Sequence, residues 1–252
     1  MSYTERELMV IAAGREIGDG EIVFVGMRLP LIAFAFAKRT HAPGAIGLFE
    51  NGIVRDRPAA ATLMTMSDTP NLPGALWSTG TLGIMSLLQQ GLVDLGFIGG
   101  AEIDRHGNLN TSCVGDWRAP KVRLPGSGGG GDIASLARRF VVIMPQEKHR
   151  FRERVDFITS PGFGDGPGWR ERVGLVGGGP SAVITTLGVF RFDAATGEMV
   201  LASWHPGQSP ESLRTATGWD LRIAAGARET ATPTAEELRV VRECDPEGFW
   251  TR

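Results

Sequence analysis

The sequence predicts an α/β fold built on an open, mostly parallel layered sheet, and three observations carry that prediction. Short apolar runs alternate with helical patterns at a spacing of strand, helix, strand over residues 21–26, 31–40 and 46–50, and such spacing favours parallel pairing. Phe140-Val141-Val142-Ile143-Met144 is apolar at every position, as in a strand covered on both faces. Finally, the 35 glycines fall largely at the ends of these runs while 42% of the chain is hydrophobic, so they serve loops of a packed protein rather than a disordered one.

The elements follow in order. Residues 5–17 read as a helix, with Thr4 as N-cap and Glu7 completing a capping box, and Gly18-Asp19-Gly20 ends it. A strand over 21–26 leads to a helix over 31–40 introduced by Pro30, and residues 46–50 form the next strand. A helix is predicted over 81–90 and a strand over 92–99, running into Gly99-Gly100. A short helix over 133–138 precedes the apolar strand at 139–145. Residues 182–186 and 189–193 read as strands joined by Leu187-Gly188, and 235–244 has helical spacing. With no internal repeat and no linker composition, one α/β domain over residues 1–252 is expected.

Composition narrows the function classes. The length of 252 residues suffices for a substantial core without disulfide or metal staples. A net charge of −2 gives no electrostatic reason to expect nucleic acid or an anionic membrane as partner. Cys113 and Cys244 are far apart, which suits a reducing cytoplasm and neither a disulfide framework nor a zinc knuckle. The N-terminus lacks the pattern of a secretory signal, and the longest apolar-rich stretch, residues 29–37, is short of the roughly 20 residues a bilayer span needs. His41, His106, His149 and His205 show no paired ligand spacing, so no metal is expected.

Two segments carry chemistry. In Gly47-Leu48-Phe49-Glu50-Asn51-Gly52 an apolar strand delivers a carboxylate to a turn, at the strand's carboxyl end where open α/β sheets place ligands. Taken alone, such a glutamate reads as solvated. Gly126-Ser127-Gly128-Gly129-Gly130-Gly131-Asp132 leads into a helix and exposes backbone amides to an anion or a developing oxyanion. It lacks the Gly-Lys-Ser/Thr ending of a phosphate-binding P-loop. Lys148, Arg150, Arg152 and Arg154 form a basic run that reads as a solvated or contact face, with the phosphates of a ligand as the sharper reading. Asp104 and Asn108 read as holding the turn after Gly100 by Asx-type bonding.

Together, Glu50-Asn51-Gly52, the run from Gly99 to Asn108 containing Gly-Ala-x-x-Asp-x-x-Gly-Asn, and Gly126 to Asp132 resemble the beta (B-type) chain of class I CoA-transferases, on the glutaconate CoA-transferase branch. Supporting matches extend over nearly the whole chain, through Gly26 to Pro30, Ile158 to Gly168, Leu187 to Phe190, His205-Pro206-Gly207 and Thr217 to Leu221. The resemblance implies the sheet type shared by CoA-transferases and sugar-phosphate isomerase-like domains, and a ping-pong exchange of CoA between an acyl-CoA and a free carboxylic acid. Glu50 is then the nucleophile that carries a glutamyl-CoA thioester. Gly126, Gly128 and Gly129 supply the oxyanion and CoA-binding loop, and Arg28, Asn51, Gly52, Gly100 and Glu102 are candidate substrate or CoA contacts. The resemblance also implies an A-type (alpha) partner subunit, and a CoA thioester as substrate with no permanently bound cofactor. One departure stands out: where the family pattern runs Gly-x-Gly-x-Pro, this chain has Gly26-Met27-Arg28-Leu29-Pro30, a permanent cation at a glycine position. Acyl-CoA hydrolysis or decarboxylation on the same scaffold, and a non-catalytic acyl-CoA or sugar-phosphate sensor, are the alternatives; a reactive Glu50 separates transfer from all of them.

Overall fold

In the computed structural model, which describes residues 2–252, the chain is an α/β protein that divides by internal contacts into two units: residues 2–97 with Thr232–Arg252, and Ile98–Ala231. The first unit opens on α1 (Glu5–Gly14), where the Thr4 hydroxyl accepts from the Glu7 amide at 3.1 Å and the Thr4 amide donates to the Glu7 carboxylate at 2.8 Å. The helix stops three residues before the predicted end. A side chain on Gly14 would meet the Phe36 ring at 2.3 Å, and the next residues tighten into a turn in which the Ile17 amide donates to the Gly14 carbonyl.

Next come β1 (Ile22–Phe24), α2 (Leu29–Arg39), β2 (Ile46–Phe49), β3 (Ile53–Arg55), β4 (Trp77–Ser78), α3 (Thr81–Gln89) and β5 (Leu95–Ile98). The strands of this unit lie in the order β5-β1-β2-β3-β4. β1 runs parallel to both neighbours, with Phe24 level with Leu48 on one side and Gly96 on the other, whereas β2, β3 and β4 form an antiparallel meander. Pro30 sits in the first turn of α2, and the buried Phe34 meets the buried Phe49 edge to face, with ring centroids 6.2 Å apart. Burial of each such side chain stabilises the layer contact by roughly 1.5–3 kcal/mol.

The second unit begins with β6 (Glu102–Asp104), β7 (Leu109–Asn110), β8 (Cys113–Val114), β9 (Val122–Arg123), α4 (Gly130–Leu136), β10 (Arg139–Ile143) and β11 (Phe151–Arg152). It continues through α5 (Trp169–Arg172), β12 (Pro180–Ile184), β13 (Gly188–Phe192), β14 (Met199–Trp204), α6 (Pro210–Thr215) and β15 (Arg222–Glu229). Its main strands lie in the order β15-β14-β13-β12-β10; β10 pairs parallel with β12 and β14 with β15, while β12, β13 and β14 are antiparallel. Every residue from Phe140 to Met144 is buried, as the unbroken apolar run predicts. A small sheet β11-β6-β7 and the pair β8-β9 complete the unit.

The chain returns to the first unit with α7 (Ala235–Cys244), which has the bounds that its apolar spacing predicts and its own capping box between Thr234 and Glu237. Two ion pairs clasp it to α1: Arg15 with Glu237 and Arg242 with Glu7, each at 2.7 Å.

Candidate active site

Glu50 sits at the tip of the β2–β3 hairpin. The Gly52 amide donates to the Phe49 carbonyl at 2.9 Å, closing a turn whose second residue is Glu50 and whose last is a glycine at φ +109°. A Cβ on Gly52 would stand 2.1 Å from the Thr79 carbonyl oxygen, and the Thr79 amide in turn donates to the Gly52 carbonyl at 2.8 Å, so only glycine fits there. Parallel pairing of β2 with β1 aims this tip off the carboxyl ends of two adjacent strands, the position where such sheets place ligands. The Glu50 carboxylate is half-buried, and no hydrogen bond or ion pair holds it among the described residues. An unengaged carboxylate in that position is free to act as a nucleophile.

The residues beside it are anchored rather than free. Asn51 donates its side-chain amide to the Met66 carbonyl at 2.9 Å, and the fully buried Asn71 donates to the same oxygen at 2.7 Å. The connection from β3 to β4 is thereby pinned against the Glu50 turn. The buried Arg55 guanidinium secures the same connection by donating to the carbonyls of Arg57, Pro58, Asn71 and Pro73. Neither Asn71 nor Arg55 stands out in the sequence; the visible signal is the run Thr69-Pro70-Asn71-Leu72-Pro73-Gly74, whose turn chemistry marks an ordered loop.

Arg28 follows β1 and caps α2 with φ +68° and ψ −120°, making it the one non-glycine residue at positive φ among those described. That pair of angles belongs to the first central residue of a type II′ turn, a glycine position. The side chain is exposed and places its guanidinium carbon 5.9 Å from the centre of the Trp250 ring. Behind the hairpin lies a cavity of about 470 Å³ bordered by Phe34, Phe49, Arg55, Leu63 and Cys244. Burial pushes the Cys244 thiol up to about 11, so this sulfur is a space-filling group rather than a nucleophile.

In the second unit the glycine loop is built as its composition predicts. Gly126 and Gly128 adopt φ +100° and +48°, Gly129 is the N-cap of α4, and the helix starts at Gly130 rather than at residue 133. The Gly130 amide donates to the Ser127 carbonyl at 2.9 Å, whereas the amides of Gly128 and Gly129 donate to no carbonyl among the described residues. Arg170, which the sequence does not single out, holds this region from behind by donating to the carbonyls of Ala134, Pro161, Gly162 and Gly177. Burial lowers its pKa to about 10, which leaves it charged at neutral pH.

Gly100 precedes β6 and packs against Leu109, where a Cβ would approach that side chain to 2.7 Å. Glu102 is buried, accepting from Asn110 at 2.7 Å and pairing with Arg152 at 3.3 Å, so both its oxygens have internal partners. The Asx bonding expected after Gly100 is present: Asp104 accepts from the amides of His106 and Asn108 and from the Asn108 side chain, while the Asn108 oxygen receives the amides of Gly162 and Gly164. Of the basic run, Arg150 is tied to Glu147 and Arg152 to Glu102; Lys148, Arg152 and Arg154 border a cleft of about 1220 Å³. His205 is buried between the Thr185 carbonyl and the Thr230 hydroxyl, and burial lowers its pKa. Among the described residues no group of three His, Cys, Asp or Glu is placed to hold a metal ion.

The family profile described as Coenzyme A transferase matches residues 6–215. The chain is also 37% identical over 242 residues to the B-type subunit of the 3-oxoadipate CoA-transferase of Pseudomonas knackmussii, spanning 96% of this chain and 93% of that one. The chain belongs to the coenzyme A transferase family. A second CoA-transferase relative, the B-type subunit of the glutaconate CoA-transferase of Acidaminococcus fermentans, is 37% identical over 248 residues, with 96% of this chain and 92% of that one covered. The crystal structure of glutaconate CoA-transferase from that organism superposes with a TM-score of 0.93 at 34% identity, over 100% of this chain and 98% of the solved one. The structure of the decarboxylase AibA/AibB also aligns, with a TM-score of 0.85 at 26% identity over 98% of this chain and 97% of the other. CoA-transferases take CoA thioesters as substrates, and one CoA-transferase scaffold thus accommodates both transfer and decarboxylation.

Proposed function

We infer that this chain is the beta subunit of a two-subunit CoA-transferase that moves CoA from an acyl-CoA to a free carboxylic acid by a ping-pong mechanism, with Glu50 carrying the CoA. The observation that carries the reading is the unengaged Glu50 carboxylate at the tip of the β2–β3 hairpin. A Glu50 oxygen attacks the thioester carbonyl, the C–S bond breaks, and a mixed anhydride and CoA thiolate result. The thiolate then attacks the glutamyl carbonyl and displaces the first carboxylate, leaving a glutamyl-CoA thioester. The acceptor carboxylate reverses the two steps and regenerates Glu50. An anhydride conserves the activation that hydrolysis would discard, so a carboxylate nucleophile and exclusion of water suit the exchange. Each tetrahedral step develops an oxyanion, which backbone N–H donors stabilise.

Both CoA-transferase relatives are B-type subunits, which supports an A-type partner for this chain. So does its surface. Leu72, Leu76, Trp77 and Leu82 are all exposed, Leu82 by 84%, on the segment whose Thr79 braces the Glu50 turn. We assign the completion of the site to the partner, take residues 1–252 as one functional domain working in the cytoplasm, and give Gly52 and Asn51 the task of presenting Glu50. The second reading, decarboxylation or hydrolysis of an acyl-CoA, draws on the likeness to AibA/AibB. Initial-rate kinetics of the co-expressed pair separate the two. Transfer gives parallel double-reciprocal lines, needs an acceptor acid and disappears in Glu50→Ala; acyl-CoA consumption that is independent of acceptor and releases free acid or carbon dioxide would refute it.

A further inference from the structure

The connection from β3 to β4 grips the Glu50 hairpin on one side and is bare on the other. Between the two strands its one regular element is a single turn of 3-10 helix (Thr69–Asn71), and Leu63 and Met66 are its only buried apolar side chains. Side-chain bonds hold it instead. Asp68 accepts from the amides of Met64 and Thr65 at 2.7 and 3.0 Å, and the Trp250 indole N–H donates to the Leu63 carbonyl at 2.9 Å. A segment with so few buried apolar contacts lies at the low end of local stability.

The inner side meets the hairpin at three points. The Met66 carbonyl accepts from Asn51 at 2.9 Å and from the fully buried Asn71 at 2.7 Å. Asn51 follows Glu50 directly in the chain, so this shared oxygen fixes the residue next to the carboxylate. Further on, the Leu76 amide donates to the Val54 carbonyl at 2.9 Å and the Thr79 amide to the Gly52 carbonyl at 2.8 Å. The outer side is apolar and open: Met64, Leu72, Leu76 and Trp77 are exposed, and β4 is the edge strand of the sheet. Asn71 and Leu72 are neighbours, one an inner anchor and the other 52% exposed.

We propose that docking of the A-type partner on Leu72, Leu76 and Trp77 stiffens the Glu50 turn, with Asn71 as the positioning residue that links the two. The inference rests on the reading of this chain as a B-type subunit with Glu50 as the reacting carboxylate. Permanent subunit interfaces are rich in apolar side chains, and both CoA-transferase relatives are B-type subunits, so an A-type chain is the occupant this face fits. Burying Leu72 fixes the backbone at Asn71, and a fixed Asn71 holds the Met66 carbonyl where Asn51 donates. A turn ordered before substrate arrives presents its carboxylate without a further entropic cost.

Hydrogen exchange read by mass spectrometry, with no substrate present, compares this chain alone with the co-expressed pair. Partner binding should slow exchange over residues 71–79 and, about 10-fold, over residues 46–55. In Asn71→Ala the pair should still assemble and protect residues 71–79, while the gain over 46–55 is lost and formation of the CoA adduct slows about 10- to 100-fold at unchanged acyl-CoA KM. Adding Asn51→Ala should then cost little more, because both side chains act through one carbonyl. Leu72→Ala/Leu76→Ala trims exposed side chains alone, and both segments should lose protection together. Protection confined to residues 71–79, an undiminished gain over 46–55 in Asn71→Ala, or protection of both segments by self-association before the partner is added overturns the proposal. A Glu50 that never reacts defeats the transferase reading while exchange decides the coupling separately; a chain that takes up no A-type subunit overturns both.

Discussion

At the scale of single residues, two backbone positions at positive φ, Gly52 and Arg28, have opposite logic. Gly52 is indispensable because a Cβ would collide with the Thr79 carbonyl at 2.1 Å in a conformation that side chains rarely adopt. Gly52→Ala should therefore destabilise the fold by about 3 kcal/mol, read as a shift in the denaturation midpoint. Arg28 stands where glycine would be relaxed, so Arg28→Gly should raise stability by about 1 kcal/mol in the same assay. A variant that gained no stability would show that the surroundings hold this backbone without strain.

At the scale of elements, buried arginines replace counter-ions with carbonyls. Arg170 satisfies four backbone oxygens at once, and Arg170→Ala leaves them buried without a donor; a loss of about 3–5 kcal/mol is expected in equilibrium unfolding. The clasp between α1 and α7 is the pH-sensitive counterpart. Burial opposes ionisation of Glu7, yet hydrogen bonds from Arg242 and the Thr4 amide outweigh it and hold the pKa below 4.5; Glu237 behaves alike through Arg15 and Thr234. Because the folded pKa values are depressed, the clasp contributes its stability above the unfolded pKa of about 4.5 and loses it as pH falls through the lower folded values. A thermal midpoint that drops between pH 5 and pH 3 in the native chain, and less steeply in Glu7→Gln/Glu237→Gln, is the expected result.

The same scale shows what is legible in the sequence. A capping box and apolar spacing locate α1, apolar spacing alone locates α7, and the unbroken run locates β10, because those signals are local. The glycine loop is recognisable, but α4 begins at Gly130, three residues before its apolar pattern, since glycines carry no helical signal and only tertiary contacts hold them there. β15 leaves no trace in the pattern: its mixture of arginine, glycine and alanine is mostly exposed and lacks alternation. β6, β7 and β11 are two or three residues long, too short for any period to register. Glu50 is visible as a strand-end acid. The supports from Asn71, Arg55 and Trp250 come from distant segments, and only the fold brings them to the turn.

At the scale of the molecule, Glu50 belongs to one unit and the glycine loop to the other. Its exposed Leu72, Leu76, Trp77 and Leu82 await cover, so expression without an A-type partner should give no transferase activity and co-expression should restore it, measured as acceptor-dependent acyl-CoA formation. The covalent step is central to this function and can be seen directly. The co-purified pair is incubated with acyl-CoA in the absence of any acceptor acid, and its peptides are weighed by mass spectrometry. A CoA adduct is predicted on the peptide containing Glu50, absent in Glu50→Ala and discharged when an acceptor acid is added. Acyl-CoA consumed with no adduct on that peptide would contradict the assignment of Glu50 as the CoA carrier.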